Sequence, residues 1–533
     1  MSKDRPNILW ISFEDTNPFY GCYGDSVART PNLDQLAAEG CRWPNTFSTT
    51  GVCAPSRSAI ITGMYPISIG THHMRTAHTN EATPEMPTPY SAVVPHYVKC
   101  FSEYLRAEGY YCTNNVKTDY QFEPPVTAWD ELSTEAHWCN RPDPDQPFFA
   151  VFNPTETHES GMWPEKCPDP TFDPDDMVLP PYFPDTEKVR LAMARMYTHI
   201  ENNDRYLGEL LDQLQEDGLA DNTIVFHWSD HGPMPRGKRW PYDSGVHVPM
   251  IVRWPGELEP GSVSDRLIST LDLGPTVLSA VGIDVPPHMQ GRAFLGEQTA
   301  SPREYVFMSR DRYDETYDMI RAARDKRFKY IRHHRPELPY LLWIPFRNRH
   351  PIVEEWWRLH LENELEWPEN IMFQPRPVEE LYDTQNDPWE INNLADDPDY
   401  EPELQRLRAA AEQWRSDVGD MGEIPESEMV EQWYPNGKQP QTASPVLIPI
   451  CEENYGRTPA SGENSLDGPA LLQFHCATQG ASMTYTTDEG DDARWHLYTD
   501  PIRLPEGKTT IRAKATRIGY TESEETVVSF TVA

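Results

Sequence analysis

The sequence predicts an α/β fold in which helices cover both faces of a central β-sheet. The apolar run NILWISF at residues 7–13 is typical of a buried strand. The segment PNLDQLAAEG at residues 31–40 begins with Pro, places apolar residues at helical spacing and ends with Gly, which predicts a short helix. A helical stretch at about 190–215 precedes a second buried strand, NTIVFHW, at 222–228. Strands that alternate with helices are the pattern of a layered α/β domain.

The rest of the chain extends this domain and adds two smaller parts. VPMIVRW at residues 248–254 predicts a further strand, and residues 272–281 predict a further helix. From residue 301, hairpin-like segments and an amphipathic helix near 403–418 predict a smaller α+β subdomain. Short alternating runs near the C-terminus are typical of a β-sandwich. We therefore expect three domains, which span residues 1–300, 301–435 and 445–533.

The acidic composition argues against a nucleic-acid-binding protein. The formal net charge is -38, whereas nucleic-acid binding depends on Lys and Arg that displace counterions from phosphates. No apolar run approaches the roughly 20 residues that a membrane-spanning helix requires. The nine cysteines show no CxxC spacing, so a disulfide scaffold is not expected. No leader precedes the first strand, which predicts a cytoplasmic protein, or a periplasmic or secreted one if a leader has been removed. A homo-oligomer remains open.

Acidic clusters follow both of the predicted buried strands in the first domain. Glu14 and Asp15 come directly after the first strand, and Asp230 and His231 follow the second one closely. Ligand sites in open α/β sheets lie beyond the C-terminal ends of the strands. We therefore expect the functional site at this edge of the sheet, although an isolated acidic pair at a strand end is more often a turn or a cap.

The most specific motif is Cys53-Ala-Pro-Ser-Arg57, which is followed by SAIITG. It matches the C-x-P-x-R pattern that formylglycine-generating enzymes recognise. The segments PNILWISFEDTNPFYGCYGD, TPNLDQLAAEG, SDHG, RGKRWPYDSGVHVPMIVRWPG and ELYDTQNDPWEINNLA accompany it in order. Over residues 5–415 the chain resembles the type I sulfatases of the alkaline-phosphatase-like superfamily, which implies an α/β/α sandwich. The sequence around EDT, NNVKTDY and THES is most similar to bacterial heparan N-sulfatase (N-sulfoglucosamine sulfohydrolase)-like proteins.

The resemblance implies that a formylglycine-generating enzyme oxidises Cys53 to an aldehyde. The hydrate of that aldehyde carries two hydroxyl groups, of which one attacks sulfur and the other expels the sulfate. The resemblance also implies one divalent metal ion, held by Glu14, Asp15, Asp230, His231 and the oxidised Cys53. Glu14 stands where many sulfatases carry Asp, and His231 stands where an Asn is common. Calcium is the family default, and the imidazole leaves manganese, magnesium and zinc open.

Four basic residues match family positions around the sulfate group. Arg57 lies one helical turn after the nucleophile, and His158 follows the strand-like segment FFAVFN. The resemblance gives His158 contact with sulfate and protonation of the leaving group, and gives Lys238 the leaving-group oxygen. Lys117 matches a family Lys that is followed two residues later by His. Here Asp119 occupies that second position, so we expect Asp119 or another group to handle the nucleophile's proton.

The predicted activity is that of a sulfatase acting on O- or N-sulfated carbohydrate. Arg310 and Asp311 are candidates for the leaving-group pocket, and an exposed, salt-bridged loop is the alternative interpretation of this pair. A phosphonate monoester or phosphodiester hydrolase of the same superfamily remains the first alternative function. A non-catalytic protein that binds sulfated glycans is the second alternative.

Overall fold

The computed structural model describes residues 5–79, 81–452, 464–490 and 493–533. These residues form two compact units, the first with residues 5–75, 81–84 and 151–423, and the second with the remainder. Residues 1–4, part of the stretch on which the cellular location is predicted, lie outside the described residues. The three-domain division stays a prediction, and the second unit combines residues 85–150 with the C-terminal strands.

The main sheet of the first unit contains the two buried strands that the sequence predicts. Asn7–Phe13 runs parallel to Thr223–Ser229, with Asn7 opposite Thr223 and Phe13 opposite Ser229. Both strands are buried along their whole length. Across the sheet these two strands are followed in order by Met250–Arg253, Cys41–Arg42 and Ser262–Val263. Because the first two strands are parallel and in register, the acidic residues after them emerge at the same edge.

Helices and one further strand pair complete the first unit around this sheet. The predicted helices occur at Pro31–Glu39, Glu187–Glu216 and Leu273–Ala280. The other α-helices described in this unit are Cys53–Thr62, Pro66–Ile69, Asp243–Val246, Pro345–Asn348, Pro351–Glu362 and Glu401–Val418. Thr46–Phe47 pairs with Ile268–Ser269. Helices that alternate with parallel strands confirm the predicted α/β class.

A four-stranded antiparallel sheet forms the smaller part of the first unit. Its strands are Val306–Arg310, Ile320–Arg324, Phe328–His333 and Glu379–Asp383, in sequence order. The Glu401–Val418 helix buries Leu404 and Leu407 against Ala323 and Leu381 of this sheet. The predicted hairpins and amphipathic helix are therefore present.

Buried ion pairs connect this smaller sheet to the loop that carries residues 236–243. The Lys329 ammonium contacts Asp243 and lies 2.7 Å from the Glu390 carboxylate. Arg324 donates to both carboxylate oxygens of Asp243 at 2.9 and 3.2 Å. Arg236 donates to the Glu390 carbonyl at 2.6 Å. These contacts fix the conformation of a loop that also supplies Lys238.

The second unit contains two packed β-sheets near the C-terminus. One sheet has the order Val446–Ile450, Leu471–His475, Ile502–Arg503, and the other has Ser465–Leu466, Thr526–Val532, Gly507–Thr516, Ser482–Thr486, His496–Leu497. Leu472 and Phe474 of the first sheet share an apolar cluster with Ile511 and Phe530 of the second. This arrangement confirms the predicted β-sandwich.

The remaining elements of the second unit precede the sandwich along the chain. They are the helices Phe101–Ala107 and Glu426–Trp433 and the strands Tyr111–Asn115 and Glu131–Leu132, while Phe148–Phe152 runs from this unit into the first. Throughout the described residues, no helix combines the length and apolar character needed to cross a bilayer.

Replacement of Lys329 by Met tests the buried ion pairs beneath the 236–243 loop. The substitution leaves the Asp243 and Glu390 carboxylates buried with less compensation. We expect the free energy of unfolding to fall by about 3–5 kcal/mol, as for other buried ion pairs that lose one partner. Urea denaturation followed by tryptophan fluorescence measures this change.

Lys326→Met is the matched control, because Lys326 pairs with Asp265 at the surface, where the side chains are 47% and 87% exposed. We expect the control to keep the wild-type denaturation midpoint. An equal loss of stability in both variants would contradict the importance assigned to the buried pairs.

Candidate active site

The two acidic strand ends meet in a buried cluster. Asp15 and Asp230 are fully buried, and the Asp15 backbone N–H donates to Asp230 Oδ1 at 3.1 Å. His231 Nε2 lies 3.1 Å from Asp15 Oδ1. Glu14 is 1% exposed in the same cluster. Asp15 has a φ of 48°, a left-handed conformation that Asp tolerates better than most residues and that directs its carboxylate into the cluster.

Cys53 lies at the N-terminal end of the Cys53–Thr62 helix and faces this cluster. Its Sγ is 3.1 Å from His231 Nε2, 3.7 Å from Glu14 Oε1 and 3.9 Å from Asp15 Oδ1. Ser56 Oγ donates to the Asp230 carbonyl at 2.8 Å, which fixes the start of the helix to the second strand end. The helix dipole therefore presents its positive end where negative charge would develop on a nucleophile at position 53.

The side chains at these strand ends fit a divalent cation. Donor atoms of Asp15, Cys53, Asp230 and His231 all lie within 4.8 Å of one another. Burial lowers the pKa of His231 although Asp230 and Asp15 act in the opposite direction, which favours the neutral, metal-binding imidazole. Carboxylate oxygens suit hard divalent ions, and imidazole extends the choice to transition metals.

The charge of the cluster, like its donor atoms, fits a divalent cation. Glu14, Asp15 and Asp230 bring three buried carboxylates into this cluster, where Asp15 and Asp230 have cationic partners. Those cations are Lys238, which contacts Asp15, and Arg57, whose Nε lies 2.9 Å from Asp230 Oδ2. A divalent cation would further compensate the negative charge of these carboxylates, because buried charges require a partner.

Arg57 lies one helical turn after the nucleophile, and two acceptors hold its side chain in one orientation. Besides its bond to Asp230, its Nη1 donates to Asn153 Oδ1 at 3.1 Å. Asn153 follows the Phe148–Phe152 strand and also accepts a 2.5 Å hydrogen bond from Ser12 Oγ. The sequence analysis did not identify Asn153, since a single Asn after a strand has no distinctive pattern.

Lys238 belongs to a buried ion-pair network that the sequence analysis missed in part. Its Nζ contacts Asp15 and lies 3.3 Å from Glu159 Oε1. Arg239 donates to both Glu159 oxygens at 2.8 and 3.0 Å. The Glu159 N–H in turn donates to Asp15 Oδ2 at 2.7 Å. Glu159 and Arg239 are neighbours of the predicted His158 and Lys238, and that proximity was the available signal.

Electrostatic interactions keep this network ionised despite burial. Burial alone would raise the pKa of Glu159, but Arg239 and Lys238 hold it well below its ordinary value. Burial would likewise lower the pKa of Lys238, but Asp15 and Glu159 raise it above its ordinary value. Lys238 is therefore an ammonium group beside the nucleophile at neutral pH.

His158 lies at the less buried side of the cluster. Together with Glu14 and Cys53 it forms a second set of donor atoms within 4.8 Å of one another. Its Nδ1 is 2.9 Å from Ser160 Oγ, and its side chain is half-buried. His158 can therefore exchange protons with a ligand bound next to Cys53.

Four other predicted site residues have different surroundings. Lys117 and Asp119 lie in the second compact unit, where their side chains form an ion pair at 3.5 Å. Arg310 is buried with its Cζ 4.0 Å from the Trp240 ring. Asp311 is buried and pairs with Arg321 at 2.9 Å, so neither belongs to an exposed loop. The assigned roles of all four stay predictions.

Comparison with known proteins identifies the family. The model described as Sulfatase matches residues 6–123 and 114–283, and the model described as N-sulphoglucosamine sulphohydrolase, C-terminal, matches residues 231–342. An ulvan-active sulfatase from Formosa agariphila is 42% identical, over 99% of this chain and 91% of its own. The chain belongs to the sulfatase family. The predicted sulfatase activity is thus confirmed, and neither alternative function is supported.

More distant comparisons agree with this assignment. The sulfatase is 26% identical to human N-sulphoglucosamine sulphohydrolase, over 79% of this chain and 92% of the human one. A solved structure of a protein with its substrate D-glucosamine-2-N,6-O-disulfate aligns with a TM-score of 0.55 at 19% identity, covering 80% of this chain and 100% of that chain. This likeness supports the predicted alkaline-phosphatase-like fold.

Substitution of Asp230 by Asn tests the metal site independently of turnover. The nearly isosteric change removes the charge of one proposed ligand. Loss of a residue that only supports a metal ligand lowers metal affinity by about 10- to 100-fold. Loss of charge on a ligand itself should therefore lower calcium affinity by at least about 10-fold. Calorimetric titration of metal-free protein with calcium chloride, and then with manganese chloride, measures the affinity.

Asp265→Asn is the control, since Asp265 is 87% exposed and pairs only with Lys326 among the described residues. It should bind calcium as the wild type does. Unchanged affinity in the Asp230 variant would refute the ligand assignment.

Proposed function

We propose that this sulfatase cleaves sulfated carbohydrates with the aldehyde hydrate formed from Cys53 as its nucleophile. The observation that carries the proposal is the position of Cys53 Sγ, 3.1–3.9 Å from His231, Glu14 and Asp15 at the start of a helix. The C-x-P-x-R motif supplies the sequence that a formylglycine-generating enzyme would oxidise. The aldehyde would then stand between the acidic cluster and the basic side chains.

The reaction needs one displacement at sulfur and one elimination, and the hydrate supplies the oxygen for the first step and the proton that is lost in the second. One hydroxyl oxygen forms a bond to sulfur while the bond from sulfur to the sugar oxygen, or nitrogen, breaks. The second hydroxyl then loses its proton, the bond from carbon to the sulfated oxygen breaks, and sulfate leaves as the aldehyde is regenerated. The thiol of Cys53 lacks a second hydroxyl and could not complete this cycle.

The basic side chains position the sulfate and handle the protons. Arg57 and Lys238 are buried cations held by Asp230 and Asp15, and in this position they stabilise charge on the sulfate oxygens. We assign the protonation of the leaving group to half-buried His158. Asp119 or another group remains our candidate for the proton of the nucleophilic hydroxyl.

A calcium ion held by Glu14, Asp15, Asp230 and His231 would supply Lewis-acid chemistry to the sulfate and to the hydrate. We propose calcium because three of these four residues, Glu14, Asp15 and Asp230, offer carboxylate oxygens.

The substrate class follows from the chemistry together with the relatives. The 42% identical relative is named an ulvan-active sulfatase, and it covers nearly the whole chain. We therefore propose O-sulfated polysaccharide fragments of the ulvan type as substrates. The N-sulphoglucosamine sulphohydrolase model supports an N-sulfated sugar as the second candidate. Both would present a compact sulfate group to the same nucleophile.

Cys53→Ala tests the nucleophile in protein produced together with a formylglycine-generating enzyme. In the wild type we expect the peptide that contains residues 51–57 to be lighter by about 18 Da, the difference between thiol and aldehyde. The variant should lose turnover of 4-nitrophenyl sulfate by roughly 10³-fold or more, because a central catalytic group is removed.

Cys41→Ala is the matched control, since Cys41 is also buried in the first unit but lies in a strand away from the acidic cluster. It should retain activity. Sulfate release by Cys53→Ala at the wild-type rate, or a large preference of the wild type for an aryl phosphonate, would contradict the proposal.

A further inference from the structure

Two exposed aromatic side chains belong to neighbouring chain segments of the first unit. Tyr317 is 43% exposed and Trp343 is 49% exposed. Thr316 Oγ1 donates to the Trp343 carbonyl at 2.7 Å, so the segments that carry the two aromatic residues meet there. Covering an exposed aromatic ring with a ligand is favourable because it removes apolar surface from water, and the flat ring suits the C–H face of a sugar.

A tight turn connects Tyr317 to the nucleophile. Tyr313 and Thr316 exchange two backbone hydrogen bonds of 3.2 Å, which places residues 314 and 315 at the tip. The inner end of this turn, Tyr313, packs in one apolar cluster with Cys53 and Met74. The outer end continues into Tyr317, whose ring meets His73 edge-on with centroids 6.4 Å apart. Tyr317 is therefore separated by a single turn from Tyr313, which packs against Cys53.

The tip of the turn is fixed to the catalytic ion-pair network. Asp314 has a φ of 52° and accepts a hydrogen bond from Arg239 Nε at 3.2 Å. Arg239 holds Glu159, which also lies 3.3 Å from Lys238 Nζ. Arg75 contacts Asp314 from the other side. The turn is thus held at a set distance from the nucleophile, as a binding surface requires.

The segment that carries Trp343 also reaches the catalytic residues. It continues into the Pro345–Asn348 helix, in which the Phe346 ring lies with its centroid 6.0 Å from that of His158. Arg75 covers the same Phe346 ring at 5.2 Å. Tyr317 and Trp343 therefore belong to two segments that both contact the site, one through Tyr313 and one through Phe346.

We propose that Tyr317 and Trp343 form a stacking platform for the sugar ring that carries the sulfate group, or for the ring next to it. The inference rests on the proposed function, since it assumes a carbohydrate leaving group. A saccharide bound on the platform presents its sulfate toward Cys53 and its bridging atom toward His158. The platform distinguishes saccharide sulfates from small sulfate esters by binding the leaving group.

The test compares two substrates in the matured enzyme. The kcat/KM values for ulvan oligosaccharides and for 4-nitrophenyl sulfate are measured for wild type, Tyr317→Ala, Trp343→Ala and the double variant. We expect the ratio of the oligosaccharide value to the aryl sulfate value to fall about 3- to 10-fold for each Ala substitution and about 10- to 100-fold for both, from the known strength of aromatic contacts. Tyr317→Phe and Trp343→Phe should restore the ratio.

Trp357→Ala provides the matched control, because Trp357 is 36% exposed but packs on Phe373 in another helix. It should keep the wild-type ratio. Circular dichroism and thermal melting identify variants that fail to fold, and these variants are excluded. If an Ala variant fails to fold, the two Phe variants still test the platform. A wild-type ratio in a folded double variant would overturn the platform alone. A wild type inactive on both substrates, although its aldehyde is formed, would overturn the proposed function together with the platform.

Discussion

The arrangement of the site depends on the charge balance around one buried carboxylate, that of Asp15. Its oxygens accept from the Glu159 N–H and contact Lys238, while its own N–H donates to Asp230. A buried carboxylate without such partners would be strongly unfavourable. The same requirement that stabilises Asp15 therefore brings three distant chain segments to the nucleophile. Stability and catalysis share these contacts.

The ion pairs extend from Asp15 in a chain that reaches the smaller sheet. Lys238 leads to Glu159 and Arg239, and Arg239 leads to Asp314 in the turn after the Val306–Arg310 strand. A few residues beyond Arg239, the same loop is held by Lys329 and Arg324. The loop that supplies Lys238 is consequently fixed from both sides. The smaller sheet thus contributes to the site by restraining this loop rather than by supplying the nucleophile.

Local patterns account for what the sequence could predict. Apolar runs gave the two parallel strands, and their ends located Glu14, Asp15, Asp230 and His231, because parallel strands in register end at one edge. Glu159 and Arg239 escaped prediction because their partnership joins residues 80 positions apart, and no periodicity records such a contact. The contact between Asp314 and Arg239 was missed for the same reason. Arg310 and Asp311 were identified as residues of interest, but their burial depends on partners that only the tertiary structure reveals.

The acidic chain and its anionic substrate are compatible because the relevant charges act at different distances. The net charge of -38 resides on the whole chain, and salt screens exposed charges beyond about 8–10 Å. Inside the site, buried cations act over a few ångströms at lower effective dielectric. A sulfate group close to Arg57 and Lys238 therefore experiences a positive local field, and the acidic exterior affects mainly the approach of the substrate.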